Sequence, residues 1–126
     1  MADVFTLAGE DAVAAKTGGV GTPPADFDYI AVGTGTNAAA TSDTALQTEI
    51  TDSGLARDQV TPTSSANVLT LAKTWTASGS KNVTECGVLN AAADGTLLGR
   101  SVFTAIPMTS GDSLAITFNF RFGAAR

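Results

Sequence analysis

Residues 113–122, SLAITFNFRF, alternate without a fault. Leu114, Ile116, Phe118, Phe120 and Phe122 fall on one side of an extended chain, with Ala115, Thr117, Asn119 and Arg121 on the other. Strand side chains point to opposite faces with a period of two, so this is a half-buried strand whose apolar face needs a covering layer. A second sheet supplies one. NVLTLAKTWTA, residues 67–77, reads the same way. Leu69, Leu71 and Trp75 share one face, and Val68, Thr70, Ala72, Thr74 and Thr76 the other. NVTECGVLNA (82–91) and TLLGRSVFTA (96–105) are apolar runs joined through Asp94-Gly95, a pair that suits the two positive φ angles of a type I′ hairpin turn. DYIAVG (28–33) predicts a strand, ARDQVT (56–61) is a weaker candidate, and LQTEI (46–50) is either a short strand or the end of a helical turn capped by Ser42 or Asp43. SGSKN (78–82) and IPMTSGD (106–112) carry turn composition.

The first 28 residues follow a different pattern. DVFTL (3–7) suits a short strand and GEDAVAAK (9–16) one turn of helix, but TGGVGTPPADFD (17–28) has three glycines and two adjacent prolines, which oppose both helix and central strand. The expectation is an extended N-terminal arm over residues 1–28, whose Phe5, Leu7, Val20, Pro23, Pro24 and Phe27 would make contacts elsewhere. Residues 29–126 would form an all-β, antiparallel, jelly-roll-like sandwich.

Composition narrows the function. The 126 residues suffice for one domain. Charged residues are only 15% of them, so the surface depends on hydroxyls and amides, which suits strands and loops better than exposed helices. The net charge is −5, and the seven Lys and Arg are scattered, which argues against binding nucleic acid or an anionic membrane. No apolar run approaches the roughly 20 residues of a bilayer span, and the N-terminus lacks the pattern of a secretory signal. The single cysteine, Cys86, allows no intrachain disulfide, which fits folding in a reducing cytoplasm, and reads as a small buried apolar residue.

Gly33-Thr-Gly35-x-x-Ala38 satisfies a loose dinucleotide-binding pattern, with Asp52 about where an acidic ribose ligand would stand. A dinucleotide site needs a helix directly after the glycines. TNAAATSDT follows instead, rich in residues that compete with helical hydrogen bonding, and Asp52 lies in a turn-like TDSG. The glycines belong to a loop, and no cofactor is expected. With no histidine there is no Ser-His-Asp or Cys-His arrangement, and a zinc site would have only Cys86 and carboxylates. Asp26 and Asp28 lack the remaining ligands of a calcium loop and read as a solvated pair beside a buried Phe27. No metal site is expected, and the chain does not read as an enzyme. Trp75 reads as core rather than as a sugar-stacking platform. Glu85, inside an apolar strand, either faces solvent or pairs with Arg57 or Arg100 across a sheet or subunit boundary. Those three residues are the candidate charge network or subunit interface.

YIAVGTGTNAAATSDTALQTEI, followed by Arg57, resembles a segment of small tailed-bacteriophage structural proteins that runs "apolar strand, GTGT, small residues, TDTAL, two residues, E". The second half is similar to theirs in kind, with the matching positions on Thr84, Glu85, Gly87, Asn90, Arg100, Phe103, Gly111 and Asp112. The likeness spans residues 29–120 and departs at Leu89, where an aromatic is commoner. It implies a virion structural protein. A short, self-contained chain, the arm and an acidic hydroxyl-rich surface favour the outside of the head over the tail. The expected role is a decoration, or cement, protein made in the host bacterial cytoplasm. It would bind the major capsid protein on the outer capsid surface as a homotrimer and hold the shell against the pressure of packaged DNA. A tail or tail-fibre component is the alternative. A carbohydrate-binding module using Trp75 and Tyr29 is the reading from another class.

Overall fold

The computed structural model describes residues 2–122, with side chains from residue 4 onward; residues 1 and 123–126, the outer ends of the expected arm and sandwich, lie outside the described residues. The alternating C-terminal segment is a strand, β8 (Ser113–Arg121), paired along its whole length with β5 (Val68–Thr76), and β4 (Thr63–Ser65) completes a three-stranded sheet on the far side of β5. The larger sheet has the order β1-β7-β6-β2-β3, from β1 (Ala2–Phe5), β7 (Leu97–Met108), β6 (Lys81–Leu89), β2 (Tyr29–Gly33) and β3 (Asp58–Gln59). All pairings are antiparallel. The protein is an all-β sandwich with one helix.

Strands β5 to β8 form a single long hairpin folded over on itself. Its β6/β7 half lies in the larger sheet and its β5/β8 half in the smaller. This is the winding step of a jelly roll, here between sheets of five and three strands. Asp94 at φ 54° and Gly95 at φ 78° take the two positive angles expected of that pair, but they lie in a longer loop, residues 90–96 between the paired Leu89 and Leu97, and not in a two-residue type I′ turn. Ile106, Pro107 and Met108 extend β7 rather than opening a turn. ARDQVT yields only the two residues of β3, and LQTEI is a loop in which Glu49 bridges to Gly33.

Between the sheets, Leu114, Ile116, Phe118 and Phe120 of β8 meet Leu71 and Trp75 of β5 and Ile30, Val32, Val83, Cys86 and Val88 of the larger sheet. Trp75 is buried, and its indole N–H donates to the Ala56 carbonyl at 2.9 Å, so the polar end of the ring is satisfied inside the core. Each fully buried side chain of this size contributes about 1.5–3 kcal/mol by leaving water.

The N-terminal arm is the expectation that the structure corrects. Residues 2–5 add β1 to the edge of β7, and Leu7–Gly18 form a three-turn helix, α1, packed on the same strand. The reason is a cap and a glycine. Thr6 Oγ1 accepts from the Gly9 N–H at 2.9 Å and donates to the Leu97 carbonyl, tying the helix start to β7. Gly9 lies so close to the β7 backbone that a Cβ there would stand 2.7 Å from Leu98 Cα. At the other end Gly19, at φ 62°, closes the helix with N–H bonds to preceding carbonyls. Phe5 packs on Phe120 and Phe122, and Phe27 is buried in the main core. Phe27 is thus closed to a partner, and Phe5 is half-buried against the two rings. Leu7 and Val20 are exposed, as is Pro23, and Pro24 is half-buried. Only the stretch from 20 to 28 is a connector without regular structure.

Candidate functional site

The loop of residues 34–48, which contains the dinucleotide-like glycines, lies across the outer face of the larger sheet. Its ends are drawn together by Thr34 N–H to the Thr48 carbonyl and Ile50 N–H to the Val32 carbonyl, both at 2.9 Å. A closed loop of this size is an Ω-type loop, packed by its own side chains. Beneath it is a second small core of Ala31, Leu46, Leu89 and Leu97, with Tyr29 against its side. Leu46 is the loop's apolar contribution, seated over Gly87, where a Cβ would collide with it.

Glu85 fastens this loop. It stands on β6 opposite Gly33 and is 0% exposed. Its Oε2 accepts from the Gly35 and Thr48 N–H groups at 2.8 Å, and its Oε1 accepts from the Gln47 N–H at 2.9 Å and from Arg100 Nε at 2.8 Å. Three backbone N–H groups thus converge on an anion, the arrangement a phosphate loop offers its ligand, but here the anion is the chain's own carboxylate. Added side chains at Gly33 or Gly35 would overlap Glu85 Oε2. Gly33 and Gly35 leave room for the carboxylate, and the Gly35 N–H is spent on it. Burial pushes the Glu85 carboxyl up, but the Thr48 N–H, Arg100 and the Gln47 and Gly35 N–H groups together hold it below the usual glutamate range.

Arg100, on β7, is 2% exposed and continues the network outward. Its Nη1 donates to Asp43 Oδ2 at 3.0 Å, and the same oxygen accepts from the Ala40 N–H at 2.9 Å. Burial works against its charge, and the bonds to Glu85 and Asp43 more than restore it, so its pKa lies above the usual arginine value. Gln47 holds the tip of the loop, its Oε1 accepting from the Thr36 and Asn37 N–H groups at 2.8 Å. Thr84 Oγ1 donates to the Gly35 carbonyl at 2.6 Å.

Of the three candidate charged residues, the structure brings two together. Arg57 forms its own site. Its Nε and Nη2 hold both Glu49 oxygens, at 2.9 and 2.6 Å, and its Nη1 donates to the Ala91 and Asp94 carbonyls, locking the β6–β7 hairpin turn to the end of the loop. Asp43, Gln47 and Glu49 were not among the sequence candidates. The one signal for the two acids is the TDTAL-x-x-E pattern, in which Asp43 and Glu49 are the acidic positions; Gln47 has none.

The remaining candidates are accounted for individually. Asp26 pairs with Lys16 at 2.6 Å, and Asp28 accepts from Gln59 Nε2 at 2.7 Å. Among the described residues no three His, Cys, Asp or Glu side chains cluster as metal ligands. Cys86 is fully buried. Trp75 offers no exposed ring, which removes the main platform of a carbohydrate-binding module. A hollow of about 410 Å³ lies between α1 and the open end of the sandwich, walled by Phe27, Leu69, Leu98 and Phe122, with Lys16 at its rim. A shallower one of about 670 Å³ runs beside Thr36, Lys81, Asn82 and Thr109. No helix among the described residues is long and apolar enough to cross a membrane. The chain matches no protein-family model, no curated protein and no solved structure.

The arrangement holds a surface loop in one conformation. The Glu85 carboxylate is taken up by Arg100 and by the loop N–H groups, while Arg100 Nη2 is buried with no hydrogen-bond partner among the described residues.

Proposed function

We propose that this protein is a structural component of a tailed-bacteriophage virion, decorating the outer surface of the head by binding the major capsid protein. The observation that carries the reading is the serial resemblance over residues 29–120, taken with where its polar positions lie. Asp43, Glu49, Arg57, Glu85 and Arg100 all serve to fix one loop on an outward sheet face. Charged residues spent on the shape of a loop suit a protein that works by contact. The cement role follows from repetition: a modest interface at each position, multiplied over a shell, opposes internal pressure. With the N-terminus folded in, the surfaces available to the capsid are the fixed loop and the exposed Leu7, Val20 and Pro23 beside α1.

The test is the molar amount of this protein relative to the major capsid protein in purified virions, by quantitative mass spectrometry. Comparable amounts support decoration of the head. A few copies per particle would transfer the protein to the tail or fibre, and absence from virions would refute both assignments.

A further inference from the structure

The two sheets leave four edges, and three of them are blunted. β3 has two residues and β4 three, the latter preceded by Pro62; β1 has four. Beyond β1, the uncovered half of β7 carries Pro107, which has no N–H to offer. Short strands and prolines are the usual protections of a sheet edge. β8 has none. It is nine residues of regular strand without proline or bulge, and no described element pairs with its outer side.

The hydrogen bonds at the two ends of the β5–β8 ladder show which groups face that open side. Phe122 N–H donates to the Asn67 carbonyl at 2.8 Å, and Ala77 N–H to the Asp112 carbonyl at 2.8 Å. Both contacts lie in the register that pairs Leu69 with Phe120 and Leu71 with Phe118. In an antiparallel ladder hydrogen-bonded pairs alternate with non-bonded ones. The even-numbered residues of β8 therefore turn their N–H and C=O groups to β5. Ser113, Ala115, Thr117, Asn119 and Arg121 turn theirs outward, and the same five carry the exposed side chains.

We propose that β8 pairs antiparallel with β8 of a second copy of this chain, about a two-fold axis through Thr117, joining two three-stranded sheets into one of six strands. The occupant is chosen by complementarity. The strand's outward face holds a single charge, so it does not repel its copy. Centred on Thr117, the pairing sets Ala115 opposite Asn119 and Ser113 opposite Arg121, and every outward N–H and C=O meets a partner. This register also keeps the two Arg121 side chains at opposite ends of the ladder, each facing Ser113 of the other copy. Arg121 enters no ion pair among the described residues. The contact is isologous and makes a dimer, in contrast to the trimer that the resemblance suggests. It does not depend on where the protein resides.

The test is the mass of the purified protein in solution by light scattering across a concentration series, with Thr117→Pro, Thr117→Lys and Thr74→Lys. Proline at 117 removes only an outward N–H and leaves the β5 ladder intact. Lysine there sets two cations together at the axis. Thr74 is exposed on the same sheet face but on β5. The wild type and Thr74→Lys are expected at twice 12.6 kDa, dissociating on dilution. Both Thr117 variants are expected as monomers with the emission of Trp75 unchanged, and Thr117→Lys decides the matter if the proline variant does not fold. A wild type that stays monomeric, a trimer, or a dimer that survives a folded Thr117→Lys would overturn the proposal.

Discussion

Arg100 Nε donates to Glu85 Oε1 at 2.8 Å across the β6–β7 ladder, although Glu85 stands opposite Val102 and Arg100 opposite Gly87. The pair is diagonal, within reach of long side chains on one sheet face. Both charges are closed to solvent. A buried ion pair is not in itself a gain, because removing two charges from water costs several kcal/mol per ion. What offsets that cost here is the set of N–H groups from the loop above, so the pair and the loop depend on each other.

Removing one member should therefore be expensive. Glu85→Gln keeps the volume but turns an NH₂ group toward a donor and leaves Arg100 with Asp43 alone of its two counter-ions. The expected loss is about 3–5 kcal/mol in urea unfolding followed by Trp75 fluorescence. Hydrogen exchange should quicken first in residues 34–48. A double-mutant cycle with Arg100→Met should give a coupling of about 1–3 kcal/mol, and additivity would contradict the shared network.

Stability should fall with acid in a defined way. Lys81 beside Asp52, Lys73 beside Asp58 and the Thr109 N–H at Asp112 lower those carboxyls, as the loop N–H groups and Arg100 lower Glu85 against its burial. A carboxyl whose folded pKa is depressed binds its proton more readily in the unfolded chain. Its stabilisation is complete above the unfolded value of about 4 and is lost as the pH falls through the folded one. The three aspartates are exposed and screened, so Glu85 should dominate. Urea midpoints measured between neutral and about pH 3 should decline, and Glu85→Gln should flatten that slope.

Gly9→Ala opposes two effects of different sign. Alanine favours an isolated helix by about 1 kcal/mol over glycine. In the folded protein its Cβ would meet the Leu98 backbone at 2.7 Å, which α1 can avoid only by leaving β7. The overlap should win, giving a net loss of about 1–3 kcal/mol. A peptide of residues 6–19 carrying the same change should become more helical by circular dichroism.

Trp75→Ala should cost about 3–5 kcal/mol, since it empties a site between the sheets and leaves the Ala56 carbonyl without its donor. As the only tryptophan, Trp75 should emit as a buried indole that shifts to the red on unfolding. Glycan binding lost in a variant that remains folded would contradict the core assignment.

The legible parts of this fold are those where neighbouring residues state their own environment. The period of two in 113–122 specified a face, and all four large residues within β8 that it assigned inward are buried. Asp94-Gly95 announced its turn because few other pairs accept two positive φ angles. At the N-terminus the short strand and the helical turn were legible, but their docking was not, for the same local reason. The glycines and prolines of 17–28 do prevent regular structure there, but Thr6 and Gly9 gain their meaning from Leu97 and Leu98, more than eighty residues away. At the loop, Glu85 and Arg100 stood out as charges among apolar residues, while Gln47, which supplies an N–H to Glu85 and holds the tip, carried no mark at all.

Sequence alone determined the longer strands β2 and β5 to β8, the hairpin, the burial of Trp75 and the exclusion of a dinucleotide helix after Gly35, since each follows from side-chain alternation or backbone preference over a few residues; the short β3 and β4 exist only through their pairing with β2 and β5. Only the tertiary structure decided that the glycine-rich loop closes over Glu85 and that the first helix docks on β7. Hydrogen bonds to a buried carboxylate come from wherever the folded chain places its N–H groups, here residues 35, 47 and 48 with Arg100, and no spacing along one sequence states that meeting in advance.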